Sequence, residues 1–270
     1  MIVLIRGGGD LASGVAVRLY RAGLRVVITE LEQPLAIRRL VSFAEAVNAG
    51  ETCVEGIIAR RVTDPSDTLR VLQVLTRGII PVIVDPEAVA VTALHPPVVV
   101  DGRMLKQPVE LLKAQVKLII GLGPGFVAGE NCHAVIETKR GHTLGRVVWD
   151  GSAEPDSGLP EAVDHKGAER VLRAPVEGVL QTYLEIGDIV EAGDEIAAVG
   201  GELIRAPFSG VIRGLLSSGA YVKLGLKIGD VDPRGDPSYS RLVSDKALAI
   251  GGGVLEAILS RPELRPLLWT

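Results

Sequence analysis

The stretch "RAPVEGV" begins at Arg173 and "RAPFSGV" at Arg205, thirty-two residues later, so one segment of the chain is written twice. Aligned without a gap, Arg173, Ala174, Pro175, Gly178 and Val179 match Arg205, Ala206, Pro207, Gly210 and Val211. At the same offset Gly187, Val190, Gly193, Ile196 and Val199 match Gly219, Val222, Gly225, Ile228 and Val231. Each copy alternates short apolar segments with glycine turns and is too small to bury a core alone. Two copies must therefore interlock into one sandwich-like barrel with pseudo-twofold symmetry, over roughly 170–233.

The first half obeys a different pattern. "IVLIR" (2–6) is a short apolar run, "LASGVAVRLYRAG" has helical spacing at Leu11, Val15 and Leu19, and "LRVVITE" (24–30) is apolar again. That is a β-α-β unit. Further strands are expected at "CVEGIIA" (53–59), "IIPVIVD" (79–85), "PVVVD" (97–101) and "VKLIIGL" (116–122). The chain is 47% hydrophobic but holds only three Phe, four Tyr and two Trp, which is the aliphatic composition of parallel sheets covered by helices. An open, mostly parallel α/β sheet of the Rossmann-like type is the expectation. "HAVIET" and "TLGRVVWD" flank "KRGH" as a β-hairpin, and the Gly-, Pro- and acid-rich stretch 150–167 reads as a linker or loop. The organisation expected is a Rossmann-like domain over 1–150, the doubled barrel over 168–235, and a helical segment over 236–270 interrupted by Gly251–Gly253.

Net charge is −4 with both signs interspersed, which gives no electrostatic footprint for nucleic acid or an anionic membrane. Two cysteines far apart argue against a disulfide framework, and neither a secretory leader nor an apolar run of about eighteen residues can be read. A soluble, cytoplasmic protein is expected, and a homo-oligomer is left open.

The chemistry-bearing motifs gather at turns. Gly7-x-Gly9-x-x-Ala12 follows a predicted strand and opens a predicted helix, where glycines let the backbone approach a phosphate seated on the helix N-terminus. Gly7, Gly8, Gly9, Asp10 and Ser13 are thus candidate cofactor contacts, and Glu30, ending the next strand, is placed to bond a ribose hydroxyl. Asp10 departs from the usual fingerprint, and is expected either to cap the helix at the amide of Ser13 or to bind a cation. A nucleotide and a pterin-type phosphate ligand both fit. "GLGPGF" places Gly121, Gly123 and Gly125 either along the same crevice or in a tight turn into the hairpin. Lys139, Arg140, His142 and Arg146 surround one hairpin turn, suited to an anion at the crevice or to a solvated tip. Arg38 and Arg39 read as a solvated helix face or as a phosphate contact from the second loop. Cys53 is expected in the core; Cys132 is the better candidate of the two for a reactive thiol, but is expected first as a small buried hydrophobe. No metal site, Ser-His-Asp order or Walker loop can be read, so no reaction is named and enzyme status stays open.

Two resemblances follow from these residues. The repeat looks like the biotinyl and lipoyl carrier domains, in which a modified lysine stands at a hairpin tip. Here the hairpin reads "AAVGGELIRAP", with Gly200 and Gly201 at the tip and no lysine between Lys166 and Lys223, so neither biotin nor lipoate is expected. Over nearly the whole chain, "RGGGDLASGVAVRLYRAG", "GLGPGFVAGENCHAVIETKRGHTLGRV", "RAPFSGVIRGLLSSG", "KIGDVDPRG" and "ALAIGGGVLEAIL" resemble the YqeB-like accessory proteins of selenium-dependent molybdenum hydroxylases. The resemblance implies a cytoplasmic factor that helps mature enzymes such as xanthine or nicotinate dehydrogenases, by supplying selenium or handling molybdopterin. Its implied partners are a molybdenum hydroxylase apoenzyme or a selenium-delivery protein. The Rossmann part is also similar to the accessory proteins that sulfurate the molybdenum cofactor of xanthine dehydrogenase. The alternatives weighed are an NAD(P)-dependent oxidoreductase, motivated by the glycine turn and Glu30 but lacking a convincing proton donor, and a structural adaptor.

Overall fold

The computed structural model describes residues 1–105, 115–155 and 164–268. The chain divides into two units, the first made of Met1–Pro34, Ser42–Asp156 and Val243–Thr270, the second of Leu35–Val41 and Ser157–Leu242. A short segment after the second strand thus counts with the repeat, and the C-terminal helix counts with the first half.

The first unit begins with β1 (Ile2–Arg6), α1 (Asp10–Arg21) and β2 (Arg25–Glu30), then α2 (Glu45–Ala49), β3 (Glu51–Val54), β4 (Ile57–Val62), α3 (Thr68–Leu75), β5 (Ile80–Val84) and α4 (Val89–Leu94). It continues with β6 (Val98–Asp101), β7 (Leu118–Leu122), β8 (Val127–Ala128), β9 (Ala134–Ile136), β10 (Val147–Val148) and β11 (Gly151–Ser152). Nine of these strands form one sheet in the order β10-β9-β7-β6-β1-β2-β5-β4-β3, and a short pair, β11-β8, stands beside it. All neighbours from β9 to β4 are parallel, and only the outermost strands, β10 and β3, run antiparallel. The reason is in the sequence: β1 and β7 are apolar on both faces, as strands covered twice must be. Leu4, Val27, Ile83 and Val99 pack against Val71 and Val74 of α3 and Ala90 and Val91 of α4.

Two local expectations fail for identifiable reasons. "CVEGIIA" is not one strand, because Glu55 and Gly56 both take positive φ (46° and 84°) and turn the chain into the β3–β4 hairpin. Gly251–Gly253 do not interrupt the last helix, α5, which runs unbroken over Asp245–Leu259 from its N-cap Ser244. A Cβ on Gly251 would lie 2.8 Å from the Gly14 carbonyl oxygen of α1, and one on Gly14 would lie 2.5 Å from the Cβ of Ala247. Close helix approach outweighs the helix propensity that glycine forfeits, about 1 kcal/mol per residue.

The second unit holds β12 (Val171–Arg173), β13 (Gly178–Thr182), β14 (Ile189–Val190), β15 (Glu195–Val199), β16 (Glu202–Arg205), β17 (Gly210–Leu215), β18 (Tyr221–Val222) and β19 (Lys227–Asp232). They make two four-stranded sheets, β12-β19-β17-β14 and β16-β15-β13-β18, with antiparallel neighbours. Each sheet takes two strands from each copy of the repeat. The residues matched by the alignment supply the shared core, among them Val190, Ile196 and Val199 from one copy and Val222, Ile228 and Val231 from the other. The molecule is therefore mixed α/β, with a large, mostly parallel sheet and separate antiparallel sheets. Part of the expected linker is structured, since Gly151 and Ser152 pair with Ala128 and Val127; positions 156–163 of it lie outside the described residues. Among the described residues no helix is long and apolar enough to cross a membrane.

Candidate functional site

In the large sheet the chain builds outward from β1 to β2 on one side and returns to place β6 on the other. The carboxyl ends of β1 and β6 therefore flank the point where strand order reverses, and in open α/β sheets ligands bind outside such ends. The residues there come from "RGGGD" after β1, Glu30 after β2 and "DGRM" after β6.

Each glycine of the first turn has its own cause. Gly7 has φ +91°, a region that L side chains rarely adopt, and a Cβ there would meet the Arg103 backbone at 3.4 Å. Gly8 is buried, and a Cβ would lie 2.9 Å from the amide nitrogen of Ala44. Its carbonyl accepts from the Ala44 amide (2.9 Å) and the Ser13 hydroxyl (2.9 Å), and that hydroxyl accepts from the Phe43 amide (2.8 Å). Ser13 is thus a structural clamp. Gly9 is different: it is the N-cap of α1 with φ −68°, and among the described residues no atom apart from its chain neighbours lies within 4 Å of a Cβ built on it. The turn opens to space at Gly9.

Glu30 reaches back into the turn. One carboxylate oxygen accepts from the Gly8 amide (2.7 Å) and the other from the Leu31 amide (2.8 Å). Burial lifts this carboxyl above the ordinary carboxylate range, against the pull of the two amides. The Ser13 amide, expected to be capped by Asp10, donates to the Gly9 carbonyl at 2.8 Å. Asp10 occupies the first helical turn, where a carboxylate complements the helix dipole.

The turn after β7 answers to packing. Gly121 lies directly under Phe126, whose ring folds back over the place where a Cβ would stand. Gly123 has φ +74°, with Thr138 Oγ1 2.6 Å and Met104 Cε 3.2 Å from its would-be Cβ, and Gly125 has φ +97°. These glycines make a tight turn that sets the end of β7 against "DGRM" and the base of the hairpin. In the hairpin, Glu137 is buried and holds the loop by accepting from the amides of Lys139 and Glu154, both at 2.7 Å. Lys139 pairs with Glu154 (2.7 Å), Arg140 forms a two-pronged pair with Asp245 of α5 (2.6 and 2.7 Å), and His142 is exposed. The first turn, Glu30 and Ser13 are brought together directly; Gly123 joins them through Met104 and Arg103; Arg140 is directed at α5.

Several residues outside this set stand differently from expectation. Arg38 and Arg39 do not lie on a solvated helix face: Arg38 is buried and donates to the Tyr239 and Leu242 carbonyls (2.9 Å each), and Arg39 donates to the Leu215 carbonyl (2.8 Å). Cys53 is exposed, because β3 is an edge strand. Cys132, by contrast, is buried as a small hydrophobe is expected to be, and that burial pushes its thiol up to about 11, out of the range of a reactive thiolate. Sequence reasoning passed over Arg6, Asp101 and Arg103. Their signal was charge at the carboxyl ends of two runs read as parallel strands. A cavity of about 390 Å³ lies at the opposite edge of the sheet, lined by Met1, His95, Pro97 and Lys117 among others. It adjoins none of the residues above.

No protein-family model matches the chain. Among solved structures, the ectoine utilization protein EutE (DoeB) of Ruegeria pomeroyi in its product-bound form is 20% identical with a TM-score of 0.22, covering 31% of this chain and 27% of that one. An aspartoacylase family protein of Mesorhizobium loti is 10% identical with a TM-score of 0.25, covering 85% and 84%. At these TM-scores neither likeness carries an argument. Among curated proteins, the chain is 47% identical over 258 residues to the "uncharacterized protein YqeB" of Escherichia coli (strain K12), covering 96% of this chain and 47% of that protein. The chain spans about half the length of this relative. That degree of identity, held over nearly all of the chain, supports its place in the YqeB-like family.

Proposed function

We propose that the chain is an accessory factor in the maturation of selenium-dependent molybdenum hydroxylases, and that it holds a phosphate-bearing cofactor, a molybdopterin or a nucleotide, in a Rossmann-like crevice at the carboxyl ends of β1 and β6. The observation that carries the ligand part is Gly9. The fold explains Gly7 by its φ and Gly8 by its neighbours, but Gly9 has an ordinary φ and, among the described residues, open space where a Cβ would stand. A glycine there suits something that must approach the backbone closely at the N-terminus of a twelve-residue helix. The donor set fits a phosphate: first-turn N–H groups of α1 would hold it, and Glu30 would face hydroxyls of the same ligand. A molybdopterin would supply the dithiolene that ligates molybdenum; the protein's share is to bind and orient it.

The second unit is read as a barrel-sandwich of the biotinyl and lipoyl type that has lost carriage and serves to dock a hydroxylase apoenzyme or a selenium-delivery protein. Gly200 and Gly201, with φ of 59° and 90°, occupy the place of the carrier lysine. Glu30 at the end of β2 also favours a second reading, an NAD(P)-dependent oxidoreductase. Native mass spectrometry of protein purified from its own host separates the two, since a molybdopterin mass is expected and a nicotinamide dinucleotide mass would replace the first reading by the second. Gly9→Val should abolish binding of that ligand while leaving both units folded, because a branched side chain would fill the open space without strain in φ. Unchanged affinity in calorimetry would make the turn an empty fold feature.

A further inference from the structure

Arg6 is the last residue of the central strand, and the protein engages only part of its guanidinium. By strand alternation Arg6, Thr29, Asp85 and Asp101 share one face with Leu4, Val27, Ile83 and Val99. The Arg6 side chain is only 13% exposed, yet among the described residues its single polar contact is to Asp101 Oδ2, at 3.4 Å. A guanidinium carries five N–H donors, so most of these are unused. The nearby carboxylates are already engaged. Asp101 is gripped by the fork of Arg103, Nε to Oδ1 at 2.9 Å and a terminal nitrogen to Oδ2 at 2.6 Å. Asp85 caps α4, its two oxygens accepting from the Val89 and Ala90 amides at 2.9 Å each. Burial of Arg6, and after it the charge of Arg103, oppose its protonation, while Asp101, Asp85 and Glu87 favour it. No Arg6 nitrogen is among the buried polar atoms that lack a partner, so its idle donors open to solvent, where an acceptor from outside can reach them.

We infer that Arg6 and Arg103 form an anion-binding position at the carboxyl ends of β1 and β6, which takes a phosphate or carboxylate oxyanion on the idle N–H groups of Arg6. Asp101 holds both guanidinium groups in place, and the N–H groups of Arg6 that Asp101 does not take are left for an acceptor from outside. The Arg103 backbone lies against Gly7, so this position adjoins the glycine turn. A ligand phosphate at Gly9 and a second anionic group at Arg6 would then belong to one molecule. The inference rests on reading these strand ends as a binding crevice, but it does not depend on Gly9.

The test is calorimetry of the full chain with inorganic pyrophosphate and, separately, succinate, in wild type, Arg6→Gln, Arg6→Lys and Gly9→Val. Wild type should bind at least one of the two, the tighter one telling a phosphate from a carboxylate position. Arg6→Gln should weaken it roughly ten- to a hundredfold, as loss of a charge-assisted pair does. Arg6→Lys, which keeps the charge but not the fork, should fall between. No binding by wild type, or equal affinity in wild type and Arg6→Gln, overturns the inference. If Arg6→Gln does not fold, Arg6→Lys decides: wild-type affinity there marks Arg6 as a structural partner of Asp101 alone. A loss confined to Gly9→Val removes this position and leaves the glycine turn standing; a loss confined to the Arg6 variants does the reverse.

Discussion

The two copies of the repeat share a backbone and differ in what they do with it. Strands β12, β13, β14 and β15 of the first copy recur as β16, β17, β18 and β19 of the second, and matched apolar residues fill one core. The positions between those residues diverge. Where the second copy has Arg213, Asp230, Asp232 and Arg234, the first has Gln181, Ala198, Gly200 and Glu202. Asp230 is fully buried, 2.5 Å from Arg170 and 2.6 Å from Arg213, while Asp232 pairs with Arg234 at 2.6 Å and more loosely with Arg213 at 3.6 Å. The segment Leu35–Val41 covers this sheet, the Ile37 carbonyl accepting from the Leu215 amide at 2.8 Å. The outer face of the other sheet stays bare, with Val179 57%, Tyr221 56% and Leu203 43% exposed. The periodic apolar positions therefore specify strand and pairing, and the outward positions are free to become either a buried ionic face or an open one.

The most severe way to break this contrast is to remove Asp230. Asp230→Ala leaves Arg170 and Arg213 buried without their shared partner, and should cost about 3–5 kcal/mol in urea unfolding of the second unit. The counterpart position, Ala198, carries no charge to lose. Acid should reproduce part of the effect. Burial pushes the Asp230 carboxyl up, but Arg213, Lys227 and Arg170 together outweigh it and hold it below the ordinary aspartate value; Asp232 is held low in the same way by Arg234 and Arg213. Both folded values lie below the unfolded one, so the unfolded chain binds protons first as pH falls. The stabilisation is present above about pH 4 and is lost as pH falls through the folded values. Asp230→Ala should lose less stability than wild type across that window; an equal loss would place the acid sensitivity elsewhere.

A smaller perturbation asks whether the covering segment matters. A Cβ on Gly214 would stand 2.7 Å from Ile37 Cγ2, 2.9 Å from Asp230 Oδ1 and 3.1 Å from the Ile37 carbonyl oxygen. Gly214→Ala should therefore cost about 1–3 kcal/mol by overpacking. The matched position in the first copy is Thr182, which already carries a branched side chain. Thr182→Ala should change stability by less than about 0.5 kcal/mol. Equal costs at the two positions would mean that Ile37 can move aside.

What was legible in the sequence follows from the same distinction. Matched apolar residues and turn glycines revealed the repeat, and apolar runs with a helical spacing between them revealed β1, α1 and β2. The β3–β4 hairpin was hidden because Glu55 takes a conformation usually left to glycine or asparagine. α5 was hidden because three glycines read as a break when they serve close helix packing. At the candidate site the turn after β1 was legible through its spacing. Asp101 and Arg103 were not, because a charge ending an apolar run looks like an ordinary solvated boundary until the strand order places it beside β1. The ionic cluster of the second copy was invisible for a related reason: "KIGDVDPRG" alternates like an exposed strand, and only the covering segment, nearly two hundred residues earlier in the chain, buries it.

The gentlest test lies on the bare face. Val179 pairs with Tyr221 across β13 and β18, and Leu203 pairs with Ala198 across β16 and β15. Leu203 is 43% exposed, and its truncation opens no cavity in the core that Leu180, Ile196 and Val199 fill beneath it. Leu203→Ser should shift the stability of the full chain by less than about 0.5 kcal/mol, as surface changes away from special features do. A loss above about 1.5 kcal/mol, the cost of exposing a side chain that had been fully buried, would show this face to be covered in solution. The two sheets would then differ in what covers them and no longer in whether they are covered.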